Sequence, residues 1–134
     1  MARWQRLLIV YCILQLAWAV VGLAANPDFA IGADATSVRV LGVDFNGWHA
    51  LSGIVLFVPG LLIARRDEVA VPYVWAAIIA LLATAAWTPF SARPAWVFYF
   101  PHPNADILLH VGSAAILALL LVVRSRELGT ARYA

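Results

Sequence analysis

Residues 105–123 read ADILLHVGSAAILALLLVV and run directly into Arg124 and Arg126. Asp106 is the only charge in the stretch, His110 follows it by four residues, and everything beyond Ser113 is apolar. A helix needs roughly 20 mostly apolar residues to cross hydrocarbon. Backbone N–H and C=O groups cannot stay unpaired at that depth, so such a segment must be a helix unless it belongs to a closed barrel. Three more segments of the same kind precede it, at 7–25, 45–64 and 72–87. The third is the shortest and is expected to extend a little at either end. Its Pro72 stands where a helix tolerates proline, in the first turn. Four segments are too few for a barrel, so the expectation is an all-α membrane protein: a single domain over 1–134 with four transmembrane helices.

Composition leads to the same class. The chain is 64% hydrophobic and 12% charged, with a mean hydropathy of +0.88, whereas a soluble domain carries about 25% charged residues. A soluble fold of this length exposes too large a share of its surface to hide so many apolar side chains. The net charge of +2 comes from arginine alone, since there is no lysine. Those arginines flank apolar runs and form no basic face, which excludes a nucleic-acid partner and makes them topological markers.

Arg3 and Arg6 precede the first segment, Arg65 and Arg66 follow the second, and Arg124, Arg126 and Arg132 follow the fourth. The two longer loops hold only Arg39 and Arg93. The bias places both termini and the short turn at 65–68 in the cytoplasm of a multi-pass cell-membrane protein. Trp48, Trp87, Trp96 and Tyr99 then mark the outer interface, and Trp4, Tyr11, Tyr73 and Trp75 the inner one. The first segment has the charge pattern of a secretory signal peptide, but it is longer than a usual signal core. It is expected to remain in the protein. Cys12 has no intrachain partner and reads as a small packing residue.

A shift of about 61 residues makes several landmarks coincide. Tyr11 falls on Tyr73, Asn26-Pro27 on Thr88-Pro89, His49 on His110, and Arg65-Arg66 near Arg124-Arg126. The chain therefore reads as a tandem repeat of a two-helix unit, about 1–66 and 67–134. Each unit crosses twice, so the halves share one orientation and are expected to be related by a pseudo-twofold axis along the membrane normal. Small residues, among them Gly22, Gly53, Gly60 and Gly112, are the expected points of close helix approach.

Few polar residues interrupt this background. The second segment opens Asp44-Phe45-Asn46-Gly47-Trp48-His49 and continues through Ser52 and Gly53. The fourth opens Asn104-Ala105-Asp106 and continues to His110. Asn46 and His49 are i,i+3, and Asp106 and His110 are i,i+4, spacings that share a helix face. Both histidines fall one to two turns inside the outer surface, where facing lipid is costly. Asn46, His49, Asp106 and His110 are thus expected to form one polar cluster at the outer end of a four-helix bundle. The patterns Asn46-x-x-His49-x-x-x-Gly53 and Asn104-Ala105-Asp106-x-x-x-His110 resemble those of a bacterial four-helix membrane family catalogued only as a domain of unknown function. The resemblance implies four helices and paired histidines, and it brings no activity. Members of that family often carry a second histidine before the asparagine; here that place is Phe45.

Two roles fit the cluster. As a structural tie, Asn104 and either Asp44 or Asn46 cap the helix N-termini, Asp106 suits the helix dipole, and no cofactor is needed. As a site, His49 and His110, with Asp106, are candidate ligands for a transition metal or axial ligands for haem b. The tie is the simpler expectation, with the lipid bilayer and another membrane protein as the partners to consider. Small-solute transport is a third reading, carried only by Gln15 and Thr84 in mid-span. No nucleophile–base pair or phosphate loop is present, so an enzyme is not expected. Residues 96–100, Trp-Val-Phe-Tyr-Phe between Pro94 and Pro101, are too short to span and read as an interfacial lid or a docking patch. His102 is expected to be a solvated loop residue. The topology has a direct test: reporters fused after Arg66 or at the C-terminus should behave as cytoplasmic, and reporters near Gly32 or Pro94 as external. A cytoplasmic signal from either loop would refute the arrangement.

Overall fold

Four helices carry the chain, and the computed structural model describes residues 1–131 of it. They are α1 (Arg3–Ala25), α2 (Gly47–Ile63), α3 (Asp67–Trp87) and α4 (Pro103–Ala131). Three of them, α1, α3 and α4, are long and apolar enough to cross a membrane, while α2 has 17 residues. Arg132 lies outside the described residues.

α1 packs chiefly on α2, and α3 chiefly on α4. α1 also touches α4, whereas α2 and α3 meet only sparsely. Lipid is as apolar as leucine, so close packing rather than flight from water must select these contacts. The largest core accordingly mixes bulk with small residues: Trp4, Leu8, Cys12, Val74 and Leu117 fit against Ala64, Ala70, Ala77 and Ala114. A smaller cluster of Val43, Phe45 and Ala50 lies apart from it, packed on Trp18, Leu23 and Leu109. Outward faces are apolar as well, with Leu14, Val20, Val55, Ile79, Leu108 and Leu119 exposed, the surface a bilayer solvates.

One end of the molecule is closed by charge. The Glu127 carboxylate, near the end of α4, accepts the Arg3 and Trp4 backbone N–H groups at 2.9 and 3.4 Å. Those are unpaired donors of the first turn of α1, so a residue 124 positions away caps that helix. Arg124 forms a bidentate ion pair with Asp67 at the start of α3. Asp67 and Glu68 also suit the positive dipole end of α3.

The opposite end is built by the two longer loops. Val38–Val40 (β1) and Val43–Phe45 (β2) form an antiparallel hairpin in which Val38 pairs with Phe45, Arg39 with Asp44 and Val40 with Val43. Its two-residue turn, Leu41-Gly42, has φ of 49° and 91°, the doubly positive geometry that a tight right-twisted hairpin requires. The loop before it is pinned by Asp28, whose carboxylate accepts from the Thr36 hydroxyl and from the Ala30 N–H at 2.8 Å. The Thr36 hydroxyl, with those backbone donors, holds the Asp28 carboxyl below the usual carboxylate range.

Two helix starts differ from the sequence reading. The second helix begins at Gly47 rather than Phe45, because β2 claims Asp44 and Phe45 for the hairpin. Asn46, not Asp44, caps it, its Oδ1 accepting the His49 N–H at 2.9 Å. The fourth helix starts at Pro103, which suits a first-turn position, so Asn104 lies inside that turn and not before it. Of the glycines expected at close contacts, Gly53 lies against Ala19 and Gly22 against the Phe45 ring, but Gly112 faces open space.

These environments separate two substitutions. Gly22→Ala would drive a methyl group into the Phe45 ring, and overpacking of this kind costs about 1–3 kcal/mol. Gly112→Ala meets nothing and gains helix propensity, about 0.5–1 kcal/mol. Thermal unfolding in detergent should show a lower midpoint for the first and an equal or higher one for the second. Equal losses in both would refute the assigned faces.

Candidate functional site

His49, in the first turn of α2, and His110, two turns into α4, bring their rings together near the hairpin. The ring centroids are 5.7 Å apart and the planes differ by 17°. Both residues are buried. The Nδ1–H of His49 donates to the Asp44 carbonyl at 2.6 Å, and that of His110 to the Asp106 carbonyl at 2.6 Å. A carbonyl can only accept, so Nδ1 must carry the proton in both rings. In the neutral imidazole that leaves Nε2 as a bare acceptor. Neither Nε2 is hydrogen-bonded among the described residues, so the two rings present equivalent atoms without partners.

The other two candidates lie close by but are turned elsewhere. The Asn46 amide caps α2 with its oxygen and donates from Nδ2 to the Val97 carbonyl at 2.8 Å. It ties the loop before α4 to the start of α2. The Asp106 side chain is fully buried, and its two oxygens have no hydrogen-bond partner among the described residues. Its charged neighbour is Asp44.

Asp44 itself is the residue the sequence reading undervalued. It is 1% exposed, and its carboxylate accepts the His102 backbone N–H at 2.7 Å and faces His102 Nδ1 at 3.1 Å. Arg39, its partner across the hairpin, approaches to 4.0 Å. His102 is therefore not a free loop residue, although its ring remains about half exposed. Position alone held a clue: Asp44 directly precedes the Asn46–His49 motif.

An aromatic shell surrounds the histidines. Phe45 stacks on His49 at 4.5 Å and 14°, and Phe100 meets the same ring edge-on at 5.1 Å. Phe100 also lies 6.2 Å from His110, and Phe98 stacks on Phe100 at 5.8 Å. The segment at 96–100 thus divides its side chains: Phe98 and Phe100 cover the rings, while Trp96 is 73% exposed. Ala95 and Trp96 adopt positive φ values of 52° and 62°, an uncommon conformation for residues other than glycine.

Beside the rings lies a cavity of about 280 Å³. Gln15, Trp18, Ser52, Thr84 and Ser113 supply its polar walls besides the histidines, and Val55, Ala80, Leu81, Phe98 and Phe100 are among its apolar ones. Trp18 holds a buried indole N–H without a partner. Gln15 and Thr84, read as isolated mid-span residues, belong to the same cavity as the histidines. No group of three or more His, Cys, Asp or Glu among the described residues is arranged to hold a metal ion.

No curated protein and no solved structure matches the chain. The family model described as "Domain of unknown function (DUF4383)" matches residues 5–123, a span that includes every residue of this site. The chain belongs to that family.

Proposed function

We propose that this is a four-span protein of the cell membrane, with both termini cytoplasmic, whose outer end binds a small uncharged ligand beside His49 and His110. The crossing number rests on the Glu127 contact. The start of α1 lies beside the end of α4, so the chain crosses an even number of times, and three helices are already long enough to span. Seventeen residues is the lower end of what a span requires, about 17–25, so α2 qualifies as the fourth. The arginine bias supplies the direction.

The two-helix repeat is supported by equivalent local chemistry. Each histidine gives its Nδ1–H to a backbone carbonyl four or five residues earlier. Asn26 and Thr88, matched by the sequence shift, are both buried polar residues just past a long helix. The halves then form a four-helix bundle with Asn46, His49, Asp106 and His110 at its outer end.

The observation that favours binding over a purely structural tie is the pair of unpartnered Nε2 atoms beside a cavity. A structural tie would join the rings to Asn46 or Asp106. The Asn46 side chain is instead committed to capping and to the Val97 carbonyl, and the Asp106 carboxyl makes no hydrogen bond to either ring. His49 and His110 both line the cavity, and the Trp18 indole N–H on its wall is buried without a partner, a rare state in proteins that a bound molecule would complete. The cavity is mostly apolar with a few polar groups contributed by all four helices, the character of a small-molecule site. No hydrolytic or redox chemistry is needed to explain it.

The test is to purify the protein in mild detergent and examine what stays bound. Native mass spectrometry should show a small organic molecule retained by the wild type. Ala80→Trp, which blocks the cavity from an exposed wall position, should lose it while unfolding at a similar temperature. Absorption spectra and metal analysis should show neither a Soret band nor stoichiometric metal. A Soret band or bound metal that disappears in both His49→Ala and His110→Ala would replace this reading with a cofactor centre.

A further inference from the structure

The cavity's polar groups are unevenly divided between donors and acceptors. The Ser52 hydroxyl donates to the His49 carbonyl at 2.7 Å, and the Thr84 hydroxyl to the Ala80 carbonyl at 3.0 Å. Each hydroxyl has a single proton, so both oxygens have only lone pairs left to offer. The two imidazoles have likewise given their Nδ1–H groups to backbone carbonyls and keep only Nε2 lone pairs. Four wall residues are therefore committed acceptors. Trp18 is the one committed donor of the wall, and Gln15 and Ser113 can act either way.

Shape and access narrow the ligand further. Phe45, Phe98 and Phe100 line the cavity around the imidazoles, and flat aromatic walls favour a flat aromatic guest. Val55 and Ala80, both on its wall, are exposed, and they lie where α2 and α3 meet only sparsely. Val55 is eight residues into α2, roughly 12 Å along the helix from its start. In a four-span protein that opening faces hydrocarbon and not water.

We infer that the cavity takes a lipid-soluble phenol or aromatic diol from the bilayer, its O–H groups donating to Nε2 of His49 and His110. This rests on the binding reading above and adds the donor requirement to it. A carbonyl-bearing or ether analogue of the same shape would set acceptor against acceptor. Leaving a buried acceptor without its donor costs about 1–3 kcal/mol per group, so two mismatches should weaken binding at least about tenfold.

The probe is a tritiated pentylresorcinol, with its dimethyl ether as the competitor that lacks O–H donors and the corresponding difluoride, close in size to the resorcinol, as a second one. Binding is measured to the full chain in phosphatidylcholine nanodiscs, with empty nanodiscs giving the partition background. The expected result is saturable binding of the resorcinol, displaced by unlabelled resorcinol at least about tenfold more effectively than by either competitor. In His49→Phe and His110→Phe, which keep an aromatic ring, this preference should shrink. Equal displacement by the resorcinol and either competitor in the wild type would overturn the donor requirement and leave a binding cavity in place. No saturable signal above empty discs, for either compound, together with nothing retained on purification, would remove the binding reading and this inference with it. The wild-type comparison stands even if neither variant folds.

Discussion

A single buried carboxylate holds the hairpin end of the molecule together. Asp44 projects from a short hairpin, and charge-assisted hydrogen bonds of the kind it makes are about twice as strong as neutral ones. Its side chain receives His102 just ahead of α4, its backbone carbonyl receives the His49 ring from α2, and Arg39 approaches it across the hairpin. Asp106 of α4 is its neighbour. Hairpin, second helix and fourth helix all meet at this one residue. With the Asn46–Val97 bond it fixes how far α2 and α4 slide past each other, since packing among apolar side chains tolerates small shifts. Its carbonyl also sets the tautomer of His49, while that of His110 is set within α4 by the Asp106 carbonyl.

The helices were legible because their cause is coarse. An apolar run of the right length in a chain with so few charges has one outcome, and 105–123 and 7–25 each lie inside a helix that extends beyond them. The ends were less legible because they depend on competition between neighbours. Phe45 is as apolar as the helix that follows it, and the turn at Leu41-Gly42, directly before β2, diverts it into a strand. α4 continues through Arg124 and Arg126 because arginines outside hydrocarbon have no reason to stop a helix.

The candidate site was legible by depth, not by partners. Spacing from the start of each segment put His49 and His110 at one level, and in the structure their rings lie 5.7 Å apart. What spacing cannot express is which group each side chain chooses. Asn46 shares a helix face with His49 and still bonds elsewhere, because a cap and a loop carbonyl lie nearer, and the Asp106 oxygens have no partner among the described residues. Contributions from Trp18, Thr84 and Gln15 come from other helices and need the packed arrangement of α1 and α3 to be seen. Gly112 illustrates the converse. A small residue in a membrane helix signals contact only when its face is turned inward, and its face is not.

Cys12 gives the molecule one more property. It is the chain's only cysteine and has no exposed surface, packed in the main core with Trp4, Leu8 and Val74. Thiol chemistry needs a reachable thiolate, so the native protein is silent toward alkylating reagents and oxidants applied to either side of a membrane. Any cysteine introduced at the surface becomes its sole reactive thiol. The tip of the hairpin is such a place, since Leu41 is 84% exposed, and a label there would report on the hairpin end without first removing a native cysteine.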